Sequence, residues 1–180
     1  MEYIETELQG VWIIEPRIFS DQRGYFVETY KRKEFEEKIG RVDFIQDNES
    51  KSAFGVLRGL HYQDGDAAQA KLVRAVLGSV FDVAVDIRQD SPTFGKYVGV
   101  ELSETNKRQL FIPRGFAHGF LVLSDTAVFA YKVDNHYTPS AERTLHCLDP
   151  DIAIAWPLPK QQLILSEKDK QGKFIRNLFV

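Results

Sequence analysis

The chain has 180 residues, 43% of them hydrophobic and 27% charged, which suits one globular domain spanning residues 1–180. Its net charge of −3 excludes attraction of nucleic acid through overall positive charge. A single cysteine excludes an intrachain disulfide. The sequence also has no run of 18 apolar residues, so no membrane span is predicted. The polar, acidic first ten residues do not resemble a signal peptide, so we expect a cytoplasmic protein with no membrane or nucleic-acid partner.

The first predicted element is a helix over residues 31–40. Phe35 and Ile39 lie one helical turn apart among charged residues, which is typical of a helix with one buried face. Gly40 is suited to the position just after the end of this helix, where glycine is common. A second, short helix is predicted to begin at Ser166, with acidic residues in its first turn.

Between these helices the pattern predicts short strands. Residues 77–88 alternate between two faces, which predicts a sheet with one buried face, and residues 95–102 alternate in the same way. Residues 118–133 indicate two apolar strands around a turn at Ser124-Asp125. Short strands separated by turn residues favour an all-β protein, and the size fits an antiparallel jelly-roll β-sandwich with a few short peripheral helices. In 77–88 the buried face would carry Phe81, Val83, Val85 and Ile87, and the other face Asp82, Ala84, Asp86 and Arg88.

Two of the four histidines lie in suggestive contexts. His61 ends GVLRGLH and His118 ends PRGFAH, and the two spacings resemble the two halves of the cupin signature. Metal-binding cupins continue the first half as His-x-His, whereas Tyr62 and Gln63 follow here. Glutamine is a poor ligand for zinc or iron, so we expect no metal site. A single histidine is most often a hydrogen-bonded structural residue.

If the pocket instead binds an organic molecule, His61 has suitable chemistry for a general base near neutral pH. Such a base needs an acidic partner, and a developing oxyanion needs a cation. A hairpin between 57–62 and 71–76 would bring Lys71 beside His61, although Lys71 could equally lie on a solvated edge. Tyr131 shares strand parity with apolar neighbours, so it faces either the core or a pocket, where its phenol could donate a proton.

Polar residues also cluster in the N-terminal third, in DQRGYFVETY (21–30) and FIQDNES (44–50). Arginine forks suit phosphate and diphosphate, although a single arginine is usually a surface charge. The sequence contains no glycine-rich nucleotide-binding loop, so side chains would have to hold a diphosphate. The candidates for these polar contacts are Arg23, Glu28, Gln46, Asp47, Asn48 and Arg58.

These motifs together resemble the dTDP-4-dehydrorhamnose 3,5-epimerases, a metal-free family of cupin-like jelly rolls. The resemblance runs from about residue 3 to residue 178, with its motifs in the family's order. The motifs are FSDQRGYFVETY, FIQDNES, GVLRGLHYQ, AQAKLVR, GSVFDVAVDIR, SPTFGKYVGVELS, FIPRGFAHGFLVLSD, YKVDNHYTP, DPDIAIAWP and LSEKD.

The resemblance implies an enzyme that inverts carbons 3 and 5 of a nucleotide-linked 4-keto-6-deoxyhexose without a cofactor. It implies that His61 is the base, Asp169 its carboxylate partner, Lys71 the stabiliser of the enolate oxygen and Tyr131 the proton donor. It further implies a homodimer whose N-terminal segment crosses to the partner subunit. The implied substrate-binding residues are Arg23, Glu28, Gln46, Asp47, Asn48, Arg58, Lys71, His118, Glu142 and Lys168, with Tyr137 stacked on the thymine ring.

Two other readings stay open at this point. The segments 64–68 and 144–147 depart from the family's usual residues, which leaves a related epimerase acting on carbon 3 or carbon 5 alone. From another class, a sugar-binding jelly roll or a metal cupin would share the fold without this chemistry. The presence of both His61 and Tyr131 argues against a pure binding module.

Overall fold

The computed structural model describes residues 1–179, and two antiparallel β-sheets dominate it. This confirms the predicted all-β jelly roll with a few short peripheral helices. The two α-helices of the described residues are α1 (Arg32–Lys38) and α2 (Glu167–Lys170). The strands are β1 (Glu2–Glu5), β2 (Trp12–Glu15), β3 (Ile18–Asp21), β4 (Gly24–Val27), β5 (Gln46–Ala53), β6 (Leu57–Gln63), β7 (Lys71–Leu77), β8 (Ser79–Asp86), β9 (Tyr97–Ser103), β10 (Gln109–Ile112), β11 (Phe116–Val122), β12 (Thr126–Val133) and β13 (Glu142–Thr144).

The two large sheets form the layers of the sandwich. One has six strands in the order β1-β2-β10-β7-β12-β5, and the other has five in the order β13-β6-β11-β8-β9. Apolar side chains from the facing sides fill the space between them, with Val73 and Phe129 from the first sheet and Val80 and Leu102 from the second. The strands predicted at 95–102 and 118–133 are confirmed as β9 and as the pair β11 and β12.

The prediction that 77–88 buries only one face is wrong. Val83 and Val85 pack on the outer side of the five-stranded sheet under a C-terminal segment that contributes Leu145 and Ile175. Asp82, on the opposite face, is fully buried within the sandwich. Burial of both faces requires a covering layer from far along the chain, which alternation within the strand cannot reveal.

The predicted hairpin between 57–62 and 71–76 is also wrong. β6 belongs to the five-stranded sheet and β7 to the six-stranded sheet, so the two strands face each other across the sandwich. Lys71 nevertheless reaches His61, because both side chains point into the space between the sheets. The Lys71 Nζ lies 3.4 Å from the backbone oxygen of His61.

Both predicted helices are present. Phe35 of α1 is buried against the outer face of the six-stranded sheet, and Gly40 follows the helix with a φ of +120° that glycine adopts without strain. Ser166 caps α2 by accepting a hydrogen bond from the backbone N–H of Asp169 at 3.1 Å. Across residues 1–179, neither helix is long and apolar enough to cross a membrane.

The hairpin formed by β3 and β4 is a separate two-stranded sheet with apolar residues exposed to solvent. Phe19 is 46% exposed and Phe26 is 63% exposed, although aromatic rings are usually covered. Lys107 donates a hydrogen bond to the Tyr25 hydroxyl at 2.8 Å and also lies over that ring. The hairpin therefore presents an apolar surface that the rest of the described chain does not cover.

Candidate active site

The candidate active site is a cavity of about 290 Å³ at one open end of the sandwich, between the two sheets. One wall belongs to the five-stranded sheet and the other to the six-stranded sheet. Most of the lining side chains are polar or aromatic, as in pockets that orient a polar ligand. The lining residues are Gln46, Asn48, His61, Tyr62, Gln63, Gln69, Lys71, Tyr131, Tyr137 and Glu142.

A bulge in β6 sets the direction of its functional side chains, of which His61 lines the cavity. His61 lies opposite His118 of β11, whereas Arg58 lies opposite Phe120, so three steps on β6 match two on β11. The extra residue puts Arg58 and His61 on the same face, which strict alternation would forbid. Gly59 lies in the bulge at a φ of +125°, where an added Cβ would approach the backbone oxygen of His118 to 2.8 Å.

His61 forms a short hydrogen bond with Asp169, with 2.6 Å between Nε2 and Oδ1. The Asp169 side chain is 4% exposed, while that of His61 is 31% exposed and reaches the cavity. Burial acts to raise the pKa of Asp169, but hydrogen bonds from His61 and Ser166 outweigh it and hold the pKa below its usual value. The carboxylate is thus ionised and can stabilise a protonated imidazole ring.

Lys71 faces His61 from the six-stranded sheet. Burial lowers the pKa of its ammonium group to about 8, although the carboxylates of Asp82 and Glu142 act in the opposite direction. At neutral pH the group remains mostly protonated. It can therefore stabilise negative charge on an oxygen atom in the cavity.

Tyr131 lies on the same wall as Lys71. Its ring packs against Phe129 at the edge of the inner core, and the residue also lines the cavity. Burial raises the pKa of the Tyr131 phenol, Arg58 opposes this shift, and Glu142 adds to it. The phenol thus keeps its proton at neutral pH and is able to donate it.

The mouth of the cavity holds a linked set of polar residues. Glu142 accepts a hydrogen bond from the Tyr137 hydroxyl at 2.9 Å and forms an ion pair with Lys168 at 2.5 Å. Burial acts to raise the pKa of Glu142, but these two contacts lower it overall. Tyr137 is 54% exposed, so its ring is available to a flat ligand.

A second histidine–carboxylate pair lies on the same face of the five-stranded sheet. His118 Nε2 is 2.9 Å from the Asp82 Oδ2, and both residues are buried. Burial lowers the pKa of His118, and the nearby charges of Lys71 and His61 add to this effect, while Asp82 opposes it. The His118 ring is therefore neutral at neutral pH and directs an N–H towards the carboxylate.

The structure brings most of the predicted residues together, but not all. Gln46 and Asn48 line the cavity and are joined by a hydrogen bond of 2.8 Å. Asp47 points the other way, to Lys132 on the outer face of the sheet. Arg23 and Glu28 belong to the hairpin region and do not line the cavity; their side chains pair locally with Asp21 and Lys31.

Sequence reasoning missed three residues that line the cavity, Tyr62, Gln63 and Gln69, and of these Gln63 connects the loops around the site. Gln63 donates hydrogen bonds to the backbone oxygens of Ala67 and His136 at 2.7 and 2.9 Å. Its side-chain oxygen accepts from the N–H of Thr138 at 2.6 Å. This amide joins the loop after β6 to the segment that carries Tyr137. The sequence indicated Gln63 only as a poor metal ligand, because two of its three partners, His136 and Thr138, lie more than 70 residues away.

Within residues 1–179, no three His, Cys, Asp or Glu side chains converge as a set of metal ligands. The chemistry that the cavity offers is proton transfer. A histidine with a carboxylate partner lies on one wall, and a phenol and an ammonium group lie on the other. These groups suit the removal of a proton beside a carbonyl and its return from the other side.

The fold and this arrangement define an acid–base enzyme of the cupin-like jelly-roll class. Residues 5–177 match the family model described as dTDP-4-dehydrorhamnose 3,5-epimerase. The chain is 58% identical to the dTDP-4-dehydrorhamnose 3,5-epimerase of Shigella flexneri over 177 residues, which is 97% of each chain. The chain belongs to the dTDP-4-dehydrorhamnose 3,5-epimerase family and is an epimerase.

Solved structures agree with this assignment. The dTDP-4-dehydrorhamnose 3,5-epimerase of Elizabethkingia anophelis superimposes with a TM-score of 0.95 at 52% identity, over 99% of this chain and 98% of that one. The dTDP-6-deoxy-D-glucose-3,5-epimerase of Legionella pneumophila, solved with dTDP-4-keto-L-rhamnose, gives a TM-score of 0.94 at 52% identity. That match covers 98% of this chain and 94% of the Legionella chain.

Proposed function

We propose that this enzyme converts dTDP-4-dehydro-6-deoxy-D-glucose to dTDP-4-dehydro-L-rhamnose by inverting carbons 3 and 5. The family assignment and the sugar nucleotide bound by the Legionella relative support this substrate. The observation that carries the mechanism is the placement of His61 and Tyr131 on different sheets across one cavity. A base and an acid on opposite sides of a sugar ring are what inversion of a carbon centre requires.

Each inversion proceeds through an enolate. His61 takes the proton from carbon 3 or carbon 5. The electron pair of the C–H bond forms a double bond to carbon 4, and the π electrons of the C4 carbonyl move onto its oxygen, which becomes negative. Lys71 stabilises this oxygen, and Asp169 stabilises the positive ring of His61. The electrons then return to carbon, which takes the phenol proton of Tyr131 on the other face. Solvent reprotonates the Tyr131 phenolate and removes the proton from His61.

The remaining residues hold the nucleotide part of the substrate. We assign the thymine ring to Tyr137 at the mouth, with Glu142 and Lys168 beside it. Gln46, Asn48 and the neutral ring of His118 offer hydrogen bonds within or beside the cavity. Arg58, held by Ser52 at 3.0 Å, offers positive charge to the diphosphate. For Asp47, also a candidate substrate-binding residue, the contacts within one chain give no support for that role, because its carboxylate binds Lys132.

The experiment that tests this function is NMR of the reaction in deuterium oxide with dTDP-4-dehydro-6-deoxy-D-glucose. We expect deuterium incorporation and inversion at both carbon 3 and carbon 5. Exchange and inversion at one carbon alone would instead assign a single-centre epimerase. His61→Ala should abolish exchange at both carbons, whereas the control His146→Ala, whose ring packs on Phe174, should not. Near-full turnover by His61→Ala would contradict its role as base.

We also propose that the enzyme is a homodimer in which Arg23 and Glu28 serve the partner's site. Arg23 is 85% exposed at its side chain and does not line the cavity of its own protomer, although a diphosphate needs cations. The apolar hairpin that carries it is uncovered in one protomer, and a second copy would cover it. The substrate-binding site would then be complete only in the dimer.

Mixed dimers test this arrangement directly. Arg23→Ala and His61→Ala are each expected to lose most activity alone. When they are mixed and allowed to exchange subunits, a heterodimer would contain one site with both an intact His61 and an intact Arg23 from the partner. We expect activity to return in the mixture. No recovery in a verified heterodimer would contradict the exchange, and a monomer in sedimentation analysis would contradict the dimer.

A further inference from the structure

Asp82 is a buried carboxylate that the proposed reaction does not use. It is fully buried on the inner face of β8, between Val80 and Ala84 of the core. One of its oxygens, Oδ2, contacts His118. Among residues 1–179, its Oδ1 is the one buried side-chain nitrogen or oxygen atom with no hydrogen-bond partner.

Such an arrangement is unfavourable for folding. A buried polar atom without a partner costs about 1–3 kcal/mol, and more when it carries charge. A residue that only held His118 in place could be neutral, since a hydroxyl or an amide oxygen would accept the same hydrogen bond. The charge of Asp82 therefore calls for a role beyond that bond.

Lys71 is the group on which this charge acts. Its side chain is on the face of β7 that carries Val73 and Ala75 of the inner core, so it points into the same space between the sheets as Asp82. Burial disfavours its ammonium form. Of the carboxylates that oppose burial, Asp82 has the largest effect and Glu142 the next. The other titratable groups around Lys71 are His61 on β6, His118 on β11 and Tyr131 on β12, and the two histidines would repel the ammonium if protonated.

Asp82 and Lys71, both within the described residues, form no direct ion pair. This separation suits a catalytic lysine. An ion pair with Asp82 would occupy the N–H groups of Lys71, whereas a carboxylate at longer range favours the charge and leaves those groups to the enolate oxygen. Glu142 is engaged by Lys168 and Tyr137, so Asp82 is the less neutralised of the two carboxylates.

We propose that Asp82 is a positioning residue whose buried charge keeps Lys71 in its ammonium form without occupying the N–H groups that the substrate needs. This inference rests on the proposed role of Lys71 in the reaction. It adds to that reaction a residue that contacts neither the substrate nor the reacting atoms.

The test compares Asp82→Asn with Asp86→Asn. Asp86 lies four residues along the same strand and is equally buried, but its carboxylate binds Arg88, Ser91 and Thr93 and not the site. In the wild type, kcat/KM should fall as pH rises through about 8, where Lys71 loses its proton. In Asp82→Asn this alkaline limb should move down by about one pH unit, because loss of a nearby negative charge makes the ammonium easier to deprotonate. In Asp86→Asn it should stay where it is.

Nitrogen-15 NMR of the lysine side chains, with Lys71 assigned through Lys71→Met, follows the same protonation without substrate. The inference is overturned if the wild type is active and Asp82→Asn shows the same alkaline limb and the same Lys71 titration as the wild type. A wild type that does not exchange carbons 3 and 5 would instead overturn the proposed function, and the NMR titration would still decide the role of Asp82.

If Asp82→Asn does not fold, Asp82→Ser replaces it in the same test, because serine is smaller and its oxygen can still accept a hydrogen bond from His118. Asp82→Glu, which keeps the negative charge, should leave the alkaline limb of kcat/KM at the pH of the wild type. If neither neutral variant folds but Asp82→Glu does, the charge is needed for folding and the proposal is overturned.

Discussion

Replacement of Asp169 by asparagine tests the carboxylate behind His61. Asparagine has nearly the same shape and can still accept a hydrogen bond, but it cannot balance the positive imidazole ring that forms when His61 takes a proton. The bond is short, at 2.6 Å, and the Asp169 side chain is 4% exposed, so solvent cannot replace the lost charge. A hydrogen bond to a charged group contributes about 1.5–3 kcal/mol, which corresponds to a loss of about 10- to 150-fold in kcat/KM.

The assay measures kcat/KM, the rate of deuterium exchange at carbons 3 and 5, and the affinity for dTDP by calorimetry. We expect kcat/KM and exchange to fall together, since both depend on proton removal, and dTDP binding to stay the same. Glu167→Gln is the matched control, because it removes a carboxylate from the same short helix. Among the described residues, that carboxylate pairs only with the exposed Lys170. A loss below about threefold in Asp169→Asn, or an equal loss in the control, would refute the argument.

Three further predictions concern the donor, the fold and metal. Tyr131→Phe should retain deuterium exchange better than inversion, because the base remains while the proton donor is lost; equal loss of both would contradict the donor role. Asp86→Asn should lower the free energy of unfolding at pH 7 by roughly 2 kcal/mol, since burial acts to raise the pKa of Asp86 but hydrogen bonds from Arg88, Ser91 and Thr93 outweigh it and lower the pKa from 3.8 to about 2. That difference is present above pH 4 and should shrink as pH falls towards 2; urea titrations measure it. Dialysis against EDTA should leave kcat unchanged, and about one zinc or iron per chain in the purified protein would count against a metal-free site.

Local sequence signals predicted the elements that depend on local interactions. Alternation located β9, because side-chain direction along a strand has a fixed period of two, and the apolar residues on either side of the Ser124-Asp125 turn located β11 and β12. Phe35 and Gly40 located α1, and Ser166 located α2, since helix ends are set by the residues next to them. The antiparallel sandwich followed from the number and spacing of such strands.

Contacts between distant residues explain the errors. Alternation places Asp82 on the polar face of 77–88, which would meet solvent, yet Asp82 lies inside the sandwich. Nothing within the strand distinguishes it from a surface aspartate; the difference comes from the opposing sheet and from His118, 36 residues away. The supposed pairing of 57–62 with 71–76 failed for the same reason, because both segments pair with more distant strands.

The resemblance to a family identified the candidate catalytic residues. Only the structure shows the physical reason why they lie close together. Strict alternation in β6 would place Arg58 and Leu60 on one face and His61 on the other. The bulge reverses this order and gives Arg58 and His61 a common face, while Leu60 packs in the outer core. Gly59 permits the bulge, and Gly119 on the neighbouring strand gives it room.

The division of the site between two sheets leads to a last prediction. In the proposed mechanism the base His61 and the proton donor Tyr131 are on opposite walls, so the proton that His61 removes would have to pass through solvent to reach the face on which Tyr131 acts. A substrate deuterated at carbons 3 and 5 should therefore give, in ordinary water, an inverted product that has lost the label at each inverted carbon. Mass spectrometry of the product at low conversion measures this loss. Substantial retention of deuterium in the inverted product would mean that one group both removes and returns the proton, and would contradict the assignment of these two residues to separate roles.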